Sequence, residues 1–552
     1  MAQDKSLVRR VDMVIVGAGF GGMYATWKFR EMGLDIVSIE EGGDVGGVWY
    51  WNRYPGARCD LLSVDYSYGF SDEIQQEWSW SEEFAAQPEI LAYANFVADR
   101  LDLRKHYRFN TRVISAKWDD ARNLWTVRTS DSAVYEARFC VMSTGPLSMP
   151  TDPDIPGLSS FEGTLLRAAK WPHDPVDLKG KRVGVIGTGS SGMQIIQTLG
   201  RADCEVFVFQ RTPSFTLPMR NRKLDDGYQT ELKRNYPAIR AACRMNPTGG
   251  ARPVSTRPFF SLPADHRQEL MEQAWQHGGH TFLGIFSDLM TNQEANDQVA
   301  DFVRDKIGQI VADPELAEKL KPRGYPIFAR RPCLDTEYYE TYNRPNVHLI
   351  DCLEDPIAEI TPKGVRTQSG ETELDVLILA TGYDALTGAM LSFEITGREG
   401  RPLAEKWAGG PRSLLGIVMD GFPNMFMTTG PNGPAALANI VTISENDVDW
   451  IADVITHMDQ TGQAAVEAAL PAEDAWMEQI HALASKSLML KAKTWWVGSN
   501  VKGKPQGMLM FTGGFHKYRE ACEAIAAKGY NDLVFDGAGS TVSPRAKATA
   551  AQ

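Results

Sequence analysis

No stretch of this 552-residue chain comes near the roughly 18 uninterrupted apolar residues that a membrane-crossing helix needs. The opening residues, MAQDKSLVRR, are polar and lack the apolar core of a secretory leader. Cysteines are few and scattered. Cys59, Cys140, Cys204, Cys243, Cys333, Cys352 and Cys522 are odd in number and include no CxxC, so they read as mostly buried thiols in a reducing, cytoplasmic compartment. The nine histidines form no HxxxH or Cys/His cluster with zinc-ligand spacing, so no metal is expected. Positive charge is outnumbered as well, 57 Lys and Arg against 70 Asp and Glu, for a formal net charge of −13. A nucleic-acid partner calls for clustered basic residues, so none is expected, and no membrane partner either. Oligomeric state stays open between monomer and dimer.

What is present is a 43% hydrophobic fraction, enough for two or three domains with their own cores. Met13–Val16 (MVIV) is a short β-branched run that leads directly into Gly17-Ala18-Gly19-Phe20-Gly21-Gly22. A helical stretch through Phe29 follows, then a second strand, Ile36–Ile39, ending at Glu40. The pattern recurs as Arg182–Ile186 (RVGVI), Gly187-Thr188-Gly189-Ser190-Ser191-Gly192, a helix and Val206–Phe209 (VFVF). Two such units predict an α/β fold with two Rossmann-like dinucleotide-binding domains, three-layer and built on doubly wound parallel sheets.

Between about 215 and 330 the pattern turns helical. Ala295, Val299, Phe302, Val303, Ile307 and Ile310 lie on one stripe after a Thr291-x-x-Glu294 capping box. This reads as a helical insertion that serves as a lid or packing element. A third strand, Asp375–Ala380, runs into Thr381-Gly382. The expected division is 1–145 plus 383–540 for the first nucleotide domain, 146–218 plus 328–382 for the second, 219–327 for the insertion and 541–552 for a disordered tail. Flexible links are expected at Ser143-Thr144-Gly145 and Ala380-Thr381-Gly382.

The glycines of each loop have separate tasks. The first makes the strand-to-helix turn, the second lets backbone approach a pyrophosphate, and the third packs helix on strand. The helix N-terminus then offers free N–H groups and the positive end of its dipole to phosphate. The loops differ at the end of their second strands. Glu40 lies 18 residues after Gly22, where a carboxylate accepts from ribose hydroxyls and repels a 2′-phosphate. Arg211, followed by Thr212, lies 19 residues after Gly192, where a guanidinium beside a hydroxyl suits a 2′-phosphate. The first site is therefore expected to take FAD or NAD and the second NADPH. The competing reading of Arg211 is a solvated surface arginine. With no CxxC a disulfide reductase is excluded, which leaves NADPH oxidases and flavin monooxygenases.

Further segments narrow the choice. Asp44-Val45-Gly46-Gly47-Val48-Trp49-Tyr50-Trp51 leads to Tyr54-Pro55-Gly56-Ala57-Arg58-Cys59-Asp60. Later come Phe161-x-Gly163-x-x-x-Arg167-x-x-x-Trp171-Pro172, Lys321-Pro322-x-Gly324-Tyr325-Pro326, Arg330-Arg331 and Tyr338-Tyr339. Together, over roughly residues 10–530, the chain resembles the type I Baeyer–Villiger monooxygenases, class B flavin monooxygenases, in the branch of phenylacetone and steroid monooxygenases. The resemblance implies tightly bound FAD, NADPH/NADP+ and O2 as co-substrate. A flavin C4a-peroxide would attack a ketone, and the tetrahedral adduct would rearrange to an ester or lactone. It implies that Arg331 is the catalytic arginine and Asp60 the acid that orients it, with Arg331 and Asp60 moving together as the nicotinamide shifts. Arg330 would grip the 2′-phosphate with Arg211 and Thr212, and Trp495 would close over NADP+. FAD contacts would come from Gly47, Val48, Trp49, Arg58, Cys59, Asp60, Tyr66, Val113 and Ile440, and the ketone pocket from Ala435, Ala436, Leu437 and Ile440. In one place the chain departs from the family: Arg167 stands where the fingerprint has histidine, in the connection between nucleotide domains, which is expected to alter hinge positioning, coupling or rate. Rival readings are a flavin monooxygenase acting on sulfur or nitrogen, a largely uncoupled NADPH oxidase, and a silent flavoprotein scaffold.

Overall fold

The computed structural model describes residues 8–538; the stretch 541–552, expected to be a tail, lies outside them. β1 (Val8–Val16) starts ahead of the apolar run at Met13 and feeds α1 (Phe20–Glu31) through the first glycine loop. β2 (Ile36–Ile39) is buried at all four positions and pairs parallel with β1, while β3 (Val134–Met142) pairs parallel with the other edge of β1. The full sheet has eight strands in the order Glu394–Thr396, Val113–Asp119, Leu124–Thr129, β3, β1, β2, Tyr107–Arg108, and Met425–Met427 also pairs with β3. It is mixed rather than wholly parallel. Leu124–Thr129 is antiparallel to both of its neighbours, because turns of only a few residues join them and such turns cannot make a parallel crossover.

The second unit repeats the pattern with β4 (Arg182–Ile186), α2 (Ser190–Leu199) and β5 (Glu205–Gln210), joined by β6 (Val376–Leu379). Its sheet is wholly parallel, in the order Val347–Asp351, β5, β4, β6, Thr164–Arg167. A small antiparallel sheet, Ile357–Thr361, Gly364–Thr367 and Glu371–Glu373, adds to this half.

Helices Asp226–Met245, Ala264–His277, Gln293–Ile310 and Pro314–Leu320 lie between the halves of the second unit in sequence. The stripe Ala295, Val299, Phe302, Val303 and Ile307 is buried in one core with Val183, Val185 and Val206 of the second sheet and Ile195 of α2. At its start the capping differs from expectation. Asn292 is the cap, its side chain accepting from the Ala295 amide at 3.3 Å, while the Thr291 hydroxyl bonds the Asp288 carbonyl. Asn is as good a cap as Thr, and Asp288 draws Thr291 away.

The connection after β3 and the one after β6 are hydrogen-bonded to each other, Thr151 N to the Gly382 carbonyl at 3.0 Å and Asp384 N to the Met149 carbonyl at 2.8 Å. Beside them Arg167, at the end of its edge strand, makes a two-pronged ion pair with Asp152 at 2.7 and 2.6 Å. After the crossing, α3 (Ile440–Thr461) packs on α1 within the first unit. All seven cysteines are unpaired thiols, six of them buried. Among the described residues no helix is long and apolar enough to cross a membrane.

Candidate active site and nucleotide clefts

Both glycine loops are built as their spacing requires. A Cβ on Gly22 would stand 2.0 Å from the Gly17 carbonyl oxygen, and one on Gly192 the same distance from that of Gly187. Only glycine lets either helix start so close to its strand. The middle glycines face space: nothing lies within 4 Å of a Cβ on Gly189, and Gly19 meets only the Gly47 Cα at 3.6 Å. Gly47 itself has φ +55, and a Cβ there would come within 2.7 Å of the Gly19 Cα, filling the cradle. Ser190 and Ser191 form the first turn of α2, and the Ser190 hydroxyl contacts the Cys333 thiol at 3.3 Å. Thr188 donates to the Thr212 carbonyl at 3.1 Å, fixing the loop to the segment after β5.

The strand ends differ as expected. Glu40 is buried and accepts from the amides of Ala18 at 2.7 Å and Gly42 at 2.6 Å, so its carboxylate sits at the loop mouth. Burial pushes its pKa up, against those two bonds. On the other side Arg330 stacks over the Tyr325 ring, 4.4 Å from its centroid, and its Nε is buried without a partner. Burial and the neighbouring Arg211 charge lower its pKa, with Tyr325 opposing. Among the described residues neither Arg211 nor Arg330 is paired with a carboxylate. Two adjacent guanidiniums lacking an anion fit a phosphate dianion.

Around the first loop, Val48 opens the short helix Val48–Trp51, and the Trp49 indole donates to the Tyr66 hydroxyl at 3.0 Å. Val113 begins its strand, buried. The Arg58 side chain is spent on Glu82 and the Phe84 carbonyl. What Arg58 offers the site is its backbone. Gln194, buried on α2, donates to the Arg58 carbonyl at 3.0 Å and accepts from its amide at 3.4 Å and from the Tyr54 hydroxyl at 2.9 Å. That bracket joins the two nucleotide units just ahead of Cys59 and Asp60. Gly56 makes it possible, because a Cβ there would run into the Thr198 hydroxyl at 2.1 Å.

Asp60 and Arg331 come together across the interface. Nε donates to Oδ2 at 2.7 Å and Nη2 to Oδ1 at 2.6 Å, while Nη1 donates to the Ala436 carbonyl at 2.8 Å. Burial pushes the Asp60 carboxyl up, but Arg331 and His280 outweigh it and hold the group well below the usual carboxylate range. Burial likewise opposes the arginine charge, and Asp60 more than restores it. The adjacent Cys333 thiol is pushed up by burial to about 11 and stays neutral, so it adds no charge beside the Arg331–Asp60 pair.

Ala435, Ala436 and Leu437 form a 3-10 turn just before Asn439, which caps α3 at Ile440. They cluster with Ala385, Leu386, Leu147, Trp495, Trp496, Leu509 and Met510 in an apolar patch beside Arg331. Ala435 has φ +38, so the turn is strained where it meets the arginine. Trp495 packs edge-on against Trp496, ring centres 5.9 Å apart. The residue reading missed Gln194, Leu147, Leu386, Trp496 and His280. Only the last had a usable local signal, the Gly278-Gly279 pair before it.

Comparison with known proteins accords with this geometry. Residues 14–233 match the family described as pyridine nucleotide-disulphide oxidoreductase. A Baeyer–Villiger monooxygenase of Pseudooceanicola batsensis is 41% identical over 529 residues, 95% of this chain and 96% of that protein. A phenazine N-monooxygenase of Lysobacter antibioticus is 38% identical over 534 residues, 95% of this chain and 96% of its own. The structure of an oxidised steroid monooxygenase bound to NADP superposes with a TM-score of 0.91 at 45% identity, covering 95% of this chain and 99% of that one. The chain belongs to the Baeyer–Villiger monooxygenases.

Proposed function

We propose that this chain uses NADPH and O2 to oxidise small ketones to esters or lactones, with FAD in the first cleft and NADPH in the second. The observation that carries the reading is the Arg331 guanidinium, held by Asp60 on two sides and bonded on the third to the Ala436 carbonyl of the apolar turn. Bound FAD supplies the redox chemistry, taking reducing equivalents from NADPH and activating O2.

The chain's own residues bind, orient and charge the site. Gly17, Gly19, Gly22 and Gly47 shape the first cradle, Glu40 takes ribose hydroxyls, and Val48, Trp49, Tyr66, Val113, Ile440 and the backbone of Arg58 and Cys59 line the flavin side. Gly187 to Gly192 carry the second pyrophosphate, and Arg211, Thr212 and Arg330 hold the 2′-phosphate. Trp495 is assigned to cover the nicotinamide nucleotide. Arg331 cannot lose its proton, so it keeps a developing oxyanion charged and hydrogen-bonded where an ammonium could release a proton. The apolar turn keeps water out, and Ala435 and Ala436 leave room for an aryl or polycyclic group. Domain limits follow the two crossings, with the insertion sharing the core of the NADPH half. Unpaired thiols and a need for NADPH fit a cytoplasmic setting.

A second reading, oxygen transfer to nitrogen or sulfur, has the N-oxidising relative in its favour. Incubation with an aryl ketone and an aryl sulfide separates the two. The proposal expects ester in near-equal yield to the NADPH consumed. Oxidation of the sulfide alone would overturn it.

A further inference from the structure

Arg331 has three of its donor groups committed, two to Asp60 and one to the Ala436 carbonyl. Two of its five N–H protons stay free, but any turn of the guanidinium that aims one of them at a reacting oxygen loosens the bonds to Asp60, which strands a half-buried carboxylate unless another donor is at hand. One is. The Nε2 of His280 stands 3.8 Å from the same Asp60 Oδ2 that takes the arginine Nε. Among the described residues neither ring nitrogen of the buried His280 imidazole has a hydrogen-bond partner, a state that buried polar atoms rarely keep.

His280 does not come from either nucleotide unit. It sits on the 3-10 turn Gly279–Gly284 of the helical insertion, directly after helix Ala264–His277. The chain reaches Asp60 through two consecutive glycines with φ +77 and +62. A Cβ on Gly278 would meet the Pro218 carbonyl at 2.6 Å, and one on Gly279 the Arg252 guanidinium at 2.7 Å. Arg252 in turn holds the next residue, donating to the Thr281 hydroxyl at 3.1 Å. The turn is thus built to deliver an imidazole to that carboxylate.

We propose that His280 is a positioning residue for Asp60. It takes over Oδ2 whenever Arg331 turns away, so the carboxylate keeps a partner in both positions of the arginine and the insertion takes part in the working cycle. The inference rests on the reading of Arg331 as the working cation.

The test uses the full-length, FAD-loaded protein with 15N-labelled histidine. In Arg331→Ala the His280 Nε2 resonance is expected to shift and its proton to exchange more slowly, because the imidazole now bonds Asp60; in Arg331→Ala/Asp60→Asn both changes disappear. A His280 signal unchanged between wild type and Arg331→Ala overturns the proposal, whatever that variant does to ester yield, so its failure is distinct from failure of the functional reading. Kinetics give a second arm. His280→Leu is expected to lower kcat about tenfold with ketone KM and the NADP+ dissociation constant within about twofold, and His280→Gln, which keeps an N–H donor, to recover most of the loss. Equal impairment of both variants, or a KM that moves as far as kcat, would make His280 a packing residue and overturn the proposal.

Discussion

In the first glycine loop Gly17 has φ +110, and in the second Gly187 has φ +106; a Cβ on either would strike a carbonyl, of Ser143 at 2.3 Å or of Ala380 at 2.5 Å. Those carbonyls belong to the two segments by which the chain leaves one unit and returns to it. Each loop is therefore clamped by a crossing, and backbone geometry repeats between them almost contact for contact. The side chains at the mouths do not repeat. One carries a single buried carboxylate bonded to two amides, the other a pair of arginines that no carboxylate among the described residues pairs with. Backbone shape makes both clefts fit for a pyrophosphate, and on the proposed reading two or three side chains at a strand end decide which nucleotide each accepts.

The largest break in that comparison comes from the third glycines. Gly22→Ala forces a Cβ into the Gly17 carbonyl and is expected to yield protein without flavin colour. Gly192→Ala does the same to the other helix and is expected to keep the flavin while weakening NADPH about 100-fold, about 2.7 kcal/mol. Flavin absorbance and an NADPH titration on both variants check this; equal loss of flavin in the two would mean the clefts are not separate.

A smaller effect sharpens the contrast at the strand ends. Arg211→Ala and Arg330→Ala are each expected to raise the NADPH KM by roughly 10- to 100-fold, the loss of a charge-assisted bond, with NADH nearly unaffected. The ratio of the two KM values is the measurement, and a parallel rise for NADH would contradict the 2′-phosphate assignment.

The smallest concerns buried acids. On the flavin side burial pushes Glu445 and Asp447 up to about 7, against the Gly69 and Thr429 amides and other bonds, while on the other side Asp335 is pushed up to about 6. A folded pKa above the ordinary value means that folding favours the proton. The stabilisation is full below the ordinary carboxylate range and is lost as pH rises, to about 6 for Asp335 and about 7 for the other two. The melting temperature is expected to fall between pH 5 and pH 8, and Asp447→Asn to flatten that fall by on the order of a few degrees. An unchanged slope in the variant would rule out this source.

Much of this was legible along the chain because it is local. Glycine spacing defines a strand–loop–helix unit within a few residues, and Glu40 and Arg211 follow at fixed offsets. Arg331 and Asp60 meet across 271 positions, and only the family resemblance joined them in advance. Gln194 and Arg58 meet across 136, and nothing local marks a glutamine on a nucleotide-binding helix as an interdomain bracket. The strands at Ile357–Thr361, Gly364–Thr367 and Glu371–Glu373 are too short to print a clear alternation. Thr291 and Asn292 are both capping residues, and a shift by one depends on Asp288, which the local pattern does not weigh. Arg167 stands out as a departure, but its partner Asp152 emerges only when the two crossings are seen side by side.

The central claim is that a permanent positive charge at residue 331 turns a generic two-nucleotide flavoprotein into a ketone oxidant. Ester formed per NADPH consumed by Arg331→Ala, measured with flavin content at the wild-type level, tests it most directly. Ester yield is expected to fall by roughly 100-fold or more while NADPH oxidation continues. Wild-type ester yield per NADPH in that variant would contradict the account.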